Sequence, residues 1–318
     1  VQLNGLALPG VLGADIYSNN HFAADRFQIR LAAQVAPELA LHIPDQRIDV
    51  QLSVDGLSQD MISGSIDAVS LDPIGGVVSI EGRDLSASLI EAQINETFPN
   101  RTSSEIAQLL AARHNLGSLV TPTTTPVGRY YQSEHDRVTL GQFAKTTTEW
   151  DLLAFLAAQE SFDLYMDGDT LYFGPPAVDV AIVLQTADCI GLEMQHCLPL
   201  ARPMQLTVKS WSSKSAVANI GTASSAGSGN VWLRELTRPN LSPDDAQKLA
   251  QRSLNDLKRH EWIVNVTMPG ELALTARSQV SIIGTGTLWD RSYSISKVTR
   301  HLDTERGFTQ RLALQGIV

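Results

Sequence analysis

Cysteine is scarce: Cys189 and Cys197 are the only two in 318 residues. That count excludes a disulfide framework, and it points to a chain made in a reducing cytoplasm, with both thiols expected to be reduced and buried. Lying eight apart with His196 beside the second, they also fall short of the four ligands in close pairs that structural zinc uses. Long apolar runs are missing too. Hydrophobic residues make up 43% of the chain, yet no stretch reaches the ~20 residues a membrane-spanning helix needs, so no membrane insertion is expected. The opening VQLNGLALPG lacks the basic start and apolar core of a secretory signal. Basic residues are in deficit, 24 against 34 acidic for a net charge of −10, which argues against a surface that grips phosphate backbones.

Catalytic signatures are absent as well. The sequence holds no Gly-x-Gly-x-x-Gly, phosphate-loop lysine, Gly-x-Ser-x-Gly elbow or His-Glu-x-x-His helix. The seven histidines, His21, His42, His114, His135, His196, His260 and His301, stand singly. No catalytic, cofactor-binding or metal residue is therefore assigned, although a triad assembled in three dimensions would leave no such pattern.

What is present begins as β-structure. Phe27, Ile29 and Leu31 alternate, and Ile48, Val50, Leu52 and Val54 alternate with Asp49, Gln51 and Ser53 on the other face, the period of a half-buried strand. Further strands are expected around Met61–Leu71 and Val77–Gly82, separated by the turn signals Asp72-Pro73 and Gly75-Gly76. The expectation is a small antiparallel barrel over 1–82, with Pro37 and Pro44 bounding a less regular connection.

A mixed region follows over 83–200. Thr102-x-x-Glu105 fits a capping box, Ile106, Leu109, Leu110 and Arg113 share a face, and Asn115 to Gly117 end the helix. TPTTTPVG (121–128) reads as an extended linker. Thr148 caps a helix whose apolar residues, Trp150, Leu152, Leu153, Ala154, Phe155, Leu156 and Ala157, cover so much of its circumference that it should be packed on two sides. Phe162, Leu164 and Met166 alternate into Asp167-Gly168, and Leu171 and Phe173 alternate out, which is a hairpin. Asp163, Asp167 and Asp169 invite a calcium reading but lack the rest of an EF-hand loop, and a hairpin turn accounts for them. Glu91, Glu96 and Glu105 could be imagined as hydrolase carboxylates; helix-surface and capping roles explain them without chemistry. The pairs Tyr130-Tyr131 and Tyr172-Phe173 suggest either a ligand platform or, since strand neighbours face opposite ways, one core and one surface residue each.

From 201 to 318 a second antiparallel barrel with one packed helix is expected. Met204, Leu206 and Val208 alternate into Trp211, and 211–230, rich in small residues, reads as a mobile loop. Ser242 caps the next helix, Pro243 takes its first position, Asp244 and Asp245 meet its positive end, and Ala246, Leu249, Ala250 and Leu257 form its buried stripe. Lys258-Arg259-His260 could be a nucleic-acid patch, but a helix C-terminus favours cations for dipole reasons alone. Strands are expected over Trp262–Met268, Gln279–Ile283, Tyr293–Val298 and Phe308–Leu314, with Thr304 to Gly307 turning the last pair. The fold class is thus α+β: two antiparallel barrel-like domains flanking a mixed helix and hairpin insert.

Five stretches in order resemble the baseplate hub proteins of phage tails, the late control protein D family, and the hub half of VgrG spike proteins. They are Gly82-Arg83-Asp84-Leu85 after a strand, the helix Thr102–Leu116, the segment Thr148–Leu156, the hairpin Phe162–Pro175 and the C-terminal SYSISKVTRHLDTERGFTQRLAL. The resemblance implies structural work without catalysis: a homotrimeric ring whose duplicated barrels present a pseudo-sixfold face to a hexameric tail tube and a threefold face to a trimeric spike. Other baseplate proteins would be further partners, and DNA would pass through the ring without being specifically bound, as the acidic balance suits. The site of action would be the virion tail, assembled in the host cytoplasm. Because no repetitive β-helix precedes Val318, the spike is expected to be a separate protein. Two other readings stand beside this one, a tail-tip cell-wall hydrolase and a carbohydrate- or host-binding module.

Overall fold

A computed structural model describes residues 1–3, 6–34, 46–54, 56–94, 96, 98, 100–127, 148–176, 180–212, 217–239, 241–305 and 307–318. The expectations for Pro37, Pro44, His42, His135 and Tyr130-Tyr131 fall outside these residues. The chain is mostly β with few helices.

It opens with β1 (Gln2–Leu3), β2 (Leu6–Ala7), β3 (Val11–Asn19), β4 (Arg26–Ala32), β5 (Arg47–Val54), β6 (Leu57–Asp72) and β7 (Val77–Asp84). Alternation does what it predicts: Phe27, Ile29, Leu31, Ile48, Val50, Val78 and Ile80 are buried in one cluster. The insert follows, with α1 (Ala87–Glu91), α2 (Ser103–Arg113), β8 (Gly117–Val120), α3 (Glu149–Glu160), β9 (Asp163–Asp167) and β10 (Thr170–Gly174). Both caps are made. Thr102 and Glu105 close the capping box reciprocally, and the Thr148 hydroxyl accepts from the Asp151 amide. Trp150, Leu152, Leu153 and Leu156 of α3 pack with α2 and the hairpin in a separate cluster, so this helix is a core element. Gly168 takes φ +59° in the hairpin turn, a conformation that favours glycine.

The third part comprises β11 (Ala181–Gln185), β12 (Gly191–His196), α4 (Leu198–Ala201), β13 (Met204–Ser212), β14 (Val217–Ser225), β15 (Trp232–Thr237), α5 (Pro243–Arg259), β16 (Trp262–Pro269), β17 (Gln279–Ile283), β18 (Ser292–Asp303) and β19 (Gly307–Gly316). Here the structure departs from expectation in three ways. First, β11 and β12 do not belong to the insert that was expected to run to 200. β11 pairs in parallel with β17 and β12 antiparallel with β16, and both pack on the cluster of Val264, Val280, Tyr293, Ile295 and Leu314.

Second, much of 211–230 is strand, not loop: Trp211 and Ser212 close β13. Residues 217–225 form β14, paired with β13 from Met204↔Ser225 to Ser212↔Val217. Its small residues have a packing reason: a Cβ added at Gly221 would lie 2.3 Å from the Ala246 backbone, so α5 can lie this close only over a residue without a side chain. Third, α5 does not cover the C-terminal strands but its own three-stranded sheet, ordered β14-β13-β15. Met204, Leu206 and Val208 meet Ala246, Ala250 and Leu254 there in a fourth cluster.

Nor do the two expected barrels form separate sheets. One thirteen-stranded sheet runs through both, because β18 pairs with β3 over Lys297↔Asn19 to Asp303↔Gly13. β18 divides this edge: its first residues pair with β17, a register shift lies between Ile295 and Lys297, and its remaining residues pair with β3. Bulges of this kind bend a strand and redirect the sheet. On either side the sheet curls about its own core. Leu3 of β1 and Leu302 of β18 pack on one cluster from opposite ends, and β11 and β12 do the same on the other.

Candidate functional site

Where the first half-sheet, the insert and the second half-sheet meet, the triplet Gly82-Arg83-Asp84 forms a joint. Gly82 is required by close approach, since an added Cβ would fall 2.1 Å from the Ser65 carbonyl oxygen and 2.4 Å from the Phe27 ring. Arg83 donates through Nε and Nη2 to the two Asp67 oxygens at 2.6 and 2.7 Å and also reaches Glu91, tying β6, β7 and α1 together. Asp84 is buried and accepts from the amides of Asp25 (3.0 Å) and Ser86 (3.1 Å). The Asp25 carboxylate in turn accepts from the Asn19 amide at 3.0 Å. Burial, reinforced by the charge of Asp84, pushes Asp25 up to about 7, and burial raises Asp84 too.

Cations arrive from the second half-sheet. Arg300 is buried and donates to the Leu274 carbonyl, while Arg277 lies 3.3 Å from the centre of the Tyr165 ring and pairs with Asp163 at 3.5 Å. Both lower the cost of a charged Asp25 only in part, which leaves its proton affinity high. Removing one partner of such a buried set would be costly, because it leaves the others uncompensated.

The residues singled out from sequence have structural partners. Glu91 pairs with Arg83, Glu96 with Arg113, and Glu105 completes its cap. Among the described residues no group of three or more His, Cys, Asp or Glu side chains could hold a metal ion, and Asp163, Asp167 and Asp169 serve a hairpin. Lys258 turns away from the helix end to the Leu200 carbonyl and to Glu261 at 2.7 Å. Cys189 and Cys197 are free but half-buried, not fully buried as expected, and burial, with Asp188 nearby, raises the Cys189 thiol. Phe173 is core while Tyr172 stacks on Tyr165 at 4.6 Å. His114 meets the buried Glu149 at 2.7 Å, and His301 meets Asp15 at 2.5 Å across the β18–β3 pair. Each of these rings hydrogen-bonds a carboxylate that Arg113 or the sheet already places, which is a structural role. Sequence reading missed the joint itself: Gly82-Arg83-Asp84 stood out, but nothing near Asp25, Arg277 or Arg300 signals that they meet.

The exposed surface is as informative as the joint. The face of the β14-β13-β15 sheet turned away from α5 carries Trp211, Ile220 and Leu233, exposed by 53, 58 and 71%. β14 and β15 are both edge strands of this sheet. Lys209, paired with Glu235 at 2.7 Å, lies on the same face between them, so these apolar side chains are exposed singly on a mixed face bordered by two edge strands.

No protein-family model matches the chain, and no curated protein matches it in sequence. Solved structures do match in shape. A tail protein from Neisseria meningitidis MC58 superposes with a TM-score of 0.73 at 15% identity, covering 99% of this chain and 95% of that one. The 43 kDa tail protein of prophage MuSo2 from Shewanella oneidensis gives 0.72 at 16% identity, covering 98 and 94%. An Escherichia coli component of the type VI secretion system, similar in structure to bacteriophage T4 tail proteins, gives 0.62 at 13% identity, covering 100% of this chain and 76% of that one. The likeness that the five sequence stretches carry is thus met over the whole length, and the chain has the fold of phage tail proteins.

Proposed function

We propose that this protein is a structural hub of a phage or phage-derived tail, without catalytic activity, and that it acts as a homotrimeric ring. Each curled half-sheet would supply one barrel-like tube unit, so three chains present six similar units to a hexameric tail tube. The insert and the small sheet with α5 would face the trimeric spike and other baseplate proteins. DNA would pass through without specific binding, in keeping with the net charge of −10. The observation that carries this reading is the pairing of β3 with β18, which joins two half-sheets into one continuous sheet within a chain of tail-protein fold.

The division of labour follows the cores, not the chain order. Strands over 181–196 would act with the C-terminal tube unit, and 203–259 as an appended module. Sedimentation equilibrium and negative-stain imaging test the assembly. A threefold ring with a central hole is expected, alone or on addition of the spike. A protein that stays monomeric with both tube and spike partners present overturns the hub reading.

A further inference from the structure

Between the Asn20–Phe22 turn, the Ser161–Asp163 entry to β9 and one face of α5 lies a groove of about 540 Å³. Phe22 and Phe162 contribute apolar surface to it. Cations line it from two elements. Lys248, Arg252 and Arg259 stand at i, i+4 and i+11 of α5 and so share one face, and His21 approaches from the turn after β3. Dipole compensation explains Arg259 and His260 in the last turn of α5. It does not reach Lys248 or Arg252, which lie two and three turns further up.

These cations are poorly answered. Asp256 alone serves two of them, at 3.7 Å to Arg252 and 3.9 Å to Arg259. Across the groove Asp163 is engaged by Arg277. Among the described residues neither Lys248 nor the rings of His21 and His260 have a hydrogen-bonding or ion-pair partner. The crowding of positive charge is visible in His21, whose proton affinity is lowered by burial and then by His260 and Arg259.

The rim is built and held. Phe22 adopts left-handed backbone at φ 56°, and Ser161, at φ 59°, is the left-handed cap that ends α3. The turn is fixed there by the Trp150 indole donating to the Phe22 carbonyl at 2.7 Å and by the Asn20 amide side chain donating to the Ile295 carbonyl at 3.0 Å. The groove thus has a fixed wall opposite α5, with Lys248 unpaired among the described residues and one carboxylate shared by Arg252 and Arg259.

We propose that this groove binds an acidic protein segment, whose carboxylates pair with Lys248, Arg252 and Arg259. The amides of Asn20, Gln251 and Gln315, which donate and accept alike, suit the main-chain groups between those carboxylates. Asp163 and Asp256 stand among the cations, so a segment whose carboxylates are spaced to meet Lys248, Arg252 and Arg259 singly fits better than the evenly charged backbone of a nucleic acid. The groove lies within one chain, and its assignment does not depend on the ring.

A fluorescein-labelled peptide in which three glutamates are separated by glycine and serine, titrated at low salt into the full chain, tests this, with inorganic phosphate and a short single-stranded oligodeoxythymidylate as competitors. Saturable binding is expected, weakened at least about tenfold in K248E/R252E and in the more exposed pair K248A/R259A, whose folding circular dichroism confirms. His21 should titrate at higher pH with peptide bound, read from its ring proton resonances. Absence of saturable binding, or equal binding by both double variants, overturns the site. Preferential binding of phosphate or oligonucleotide overturns its assignment to a peptide. None of these outcomes alters the oligomeric state measured for the ring, so the two readings fail separately.

Discussion

The large sheet and the small one are written in the same alternating pattern and meet different ends. In the second half of the large sheet, the outer strands β12, paired with β16, and β11, paired with β17, share one core, so Leu184 and Met194 pack on the cluster of Val264 and Leu314. In the small sheet one helix covers one face, and Trp211, Ile220 and Leu233 on the other remain exposed. Alternation decides that a strand has two faces. What covers the second face is decided by the rest of the molecule, and among the described residues no element packs over it.

The sharpest way to break the comparison is steric. Gly82→Val would drive a side chain into Phe27 and the Ser65 carbonyl at the joint of the large sheet. We expect a loss on the order of 3–5 kcal/mol or outright failure to fold, measured by urea denaturation. Gly221→Val makes the same demand on the small sheet, where the Ala246 backbone stands. Its effect should be local: hydrogen exchange should quicken in β13, β14 and α5 and stay unchanged in β16 to β19. Uniform exchange throughout the chain would mean that the two sheets unfold as one unit.

Asp25→Asn sharpens the contrast through pH. Asp25 has a proton affinity raised to about 7 in the folded protein, so its contribution favours folding below the unfolded carboxylate range near pH 4 and is lost as pH rises through about 7. Asparagine keeps an acceptor for the Asn19 amide without the charge. The variant should therefore gain on wild type between pH 5 and pH 8, measured as the difference in denaturation midpoint. A difference that does not change with pH would refute the buried-charge account of the joint.

Smaller effects belong to the small sheet. Ser242→Ala removes the oxygen that accepts from the Asp245 amide at 3.1 Å and should cost about 1 kcal/mol, seen as an earlier loss of helical signal from α5. Trp211→Ser should change monomer stability by less than about 1 kcal/mol, because its side chain is more than half exposed and belongs to no buried cluster among the described residues. If that face serves assembly, the same variant weakens association in sedimentation. A stability loss comparable to that of a core residue would show that the face is already covered.

Much of this was legible beforehand where the signal is local. The caps at Thr102, Thr148 and Ser242, the Asp167-Gly168 turn, the buried stripe of α3 and the last four strands are each written within a few residues, and each forms. The failures also have a local cause. Residues 211–230 look like a loop because small side chains bury little, yet smallness is what lets α5 approach Gly221. β11 and β12 look like part of the insert because they follow it in the chain.

By itself the sequence determined which residues alternate, where helices start and stop, the absence of disulfides and membrane-spanning helices, and the motif order that resembles phage tail hubs. Tertiary structure alone decided that Ile16 pairs with Arg300, that Asp25 meets Asp84, Arg277 and Arg300, and that His21 joins the cations of α5 in one groove. The physical reason is that side-chain period specifies a face and not a partner. Strand pairing between residues more than 280 apart is selected by the fit of whole cores, which no short stretch of sequence contains.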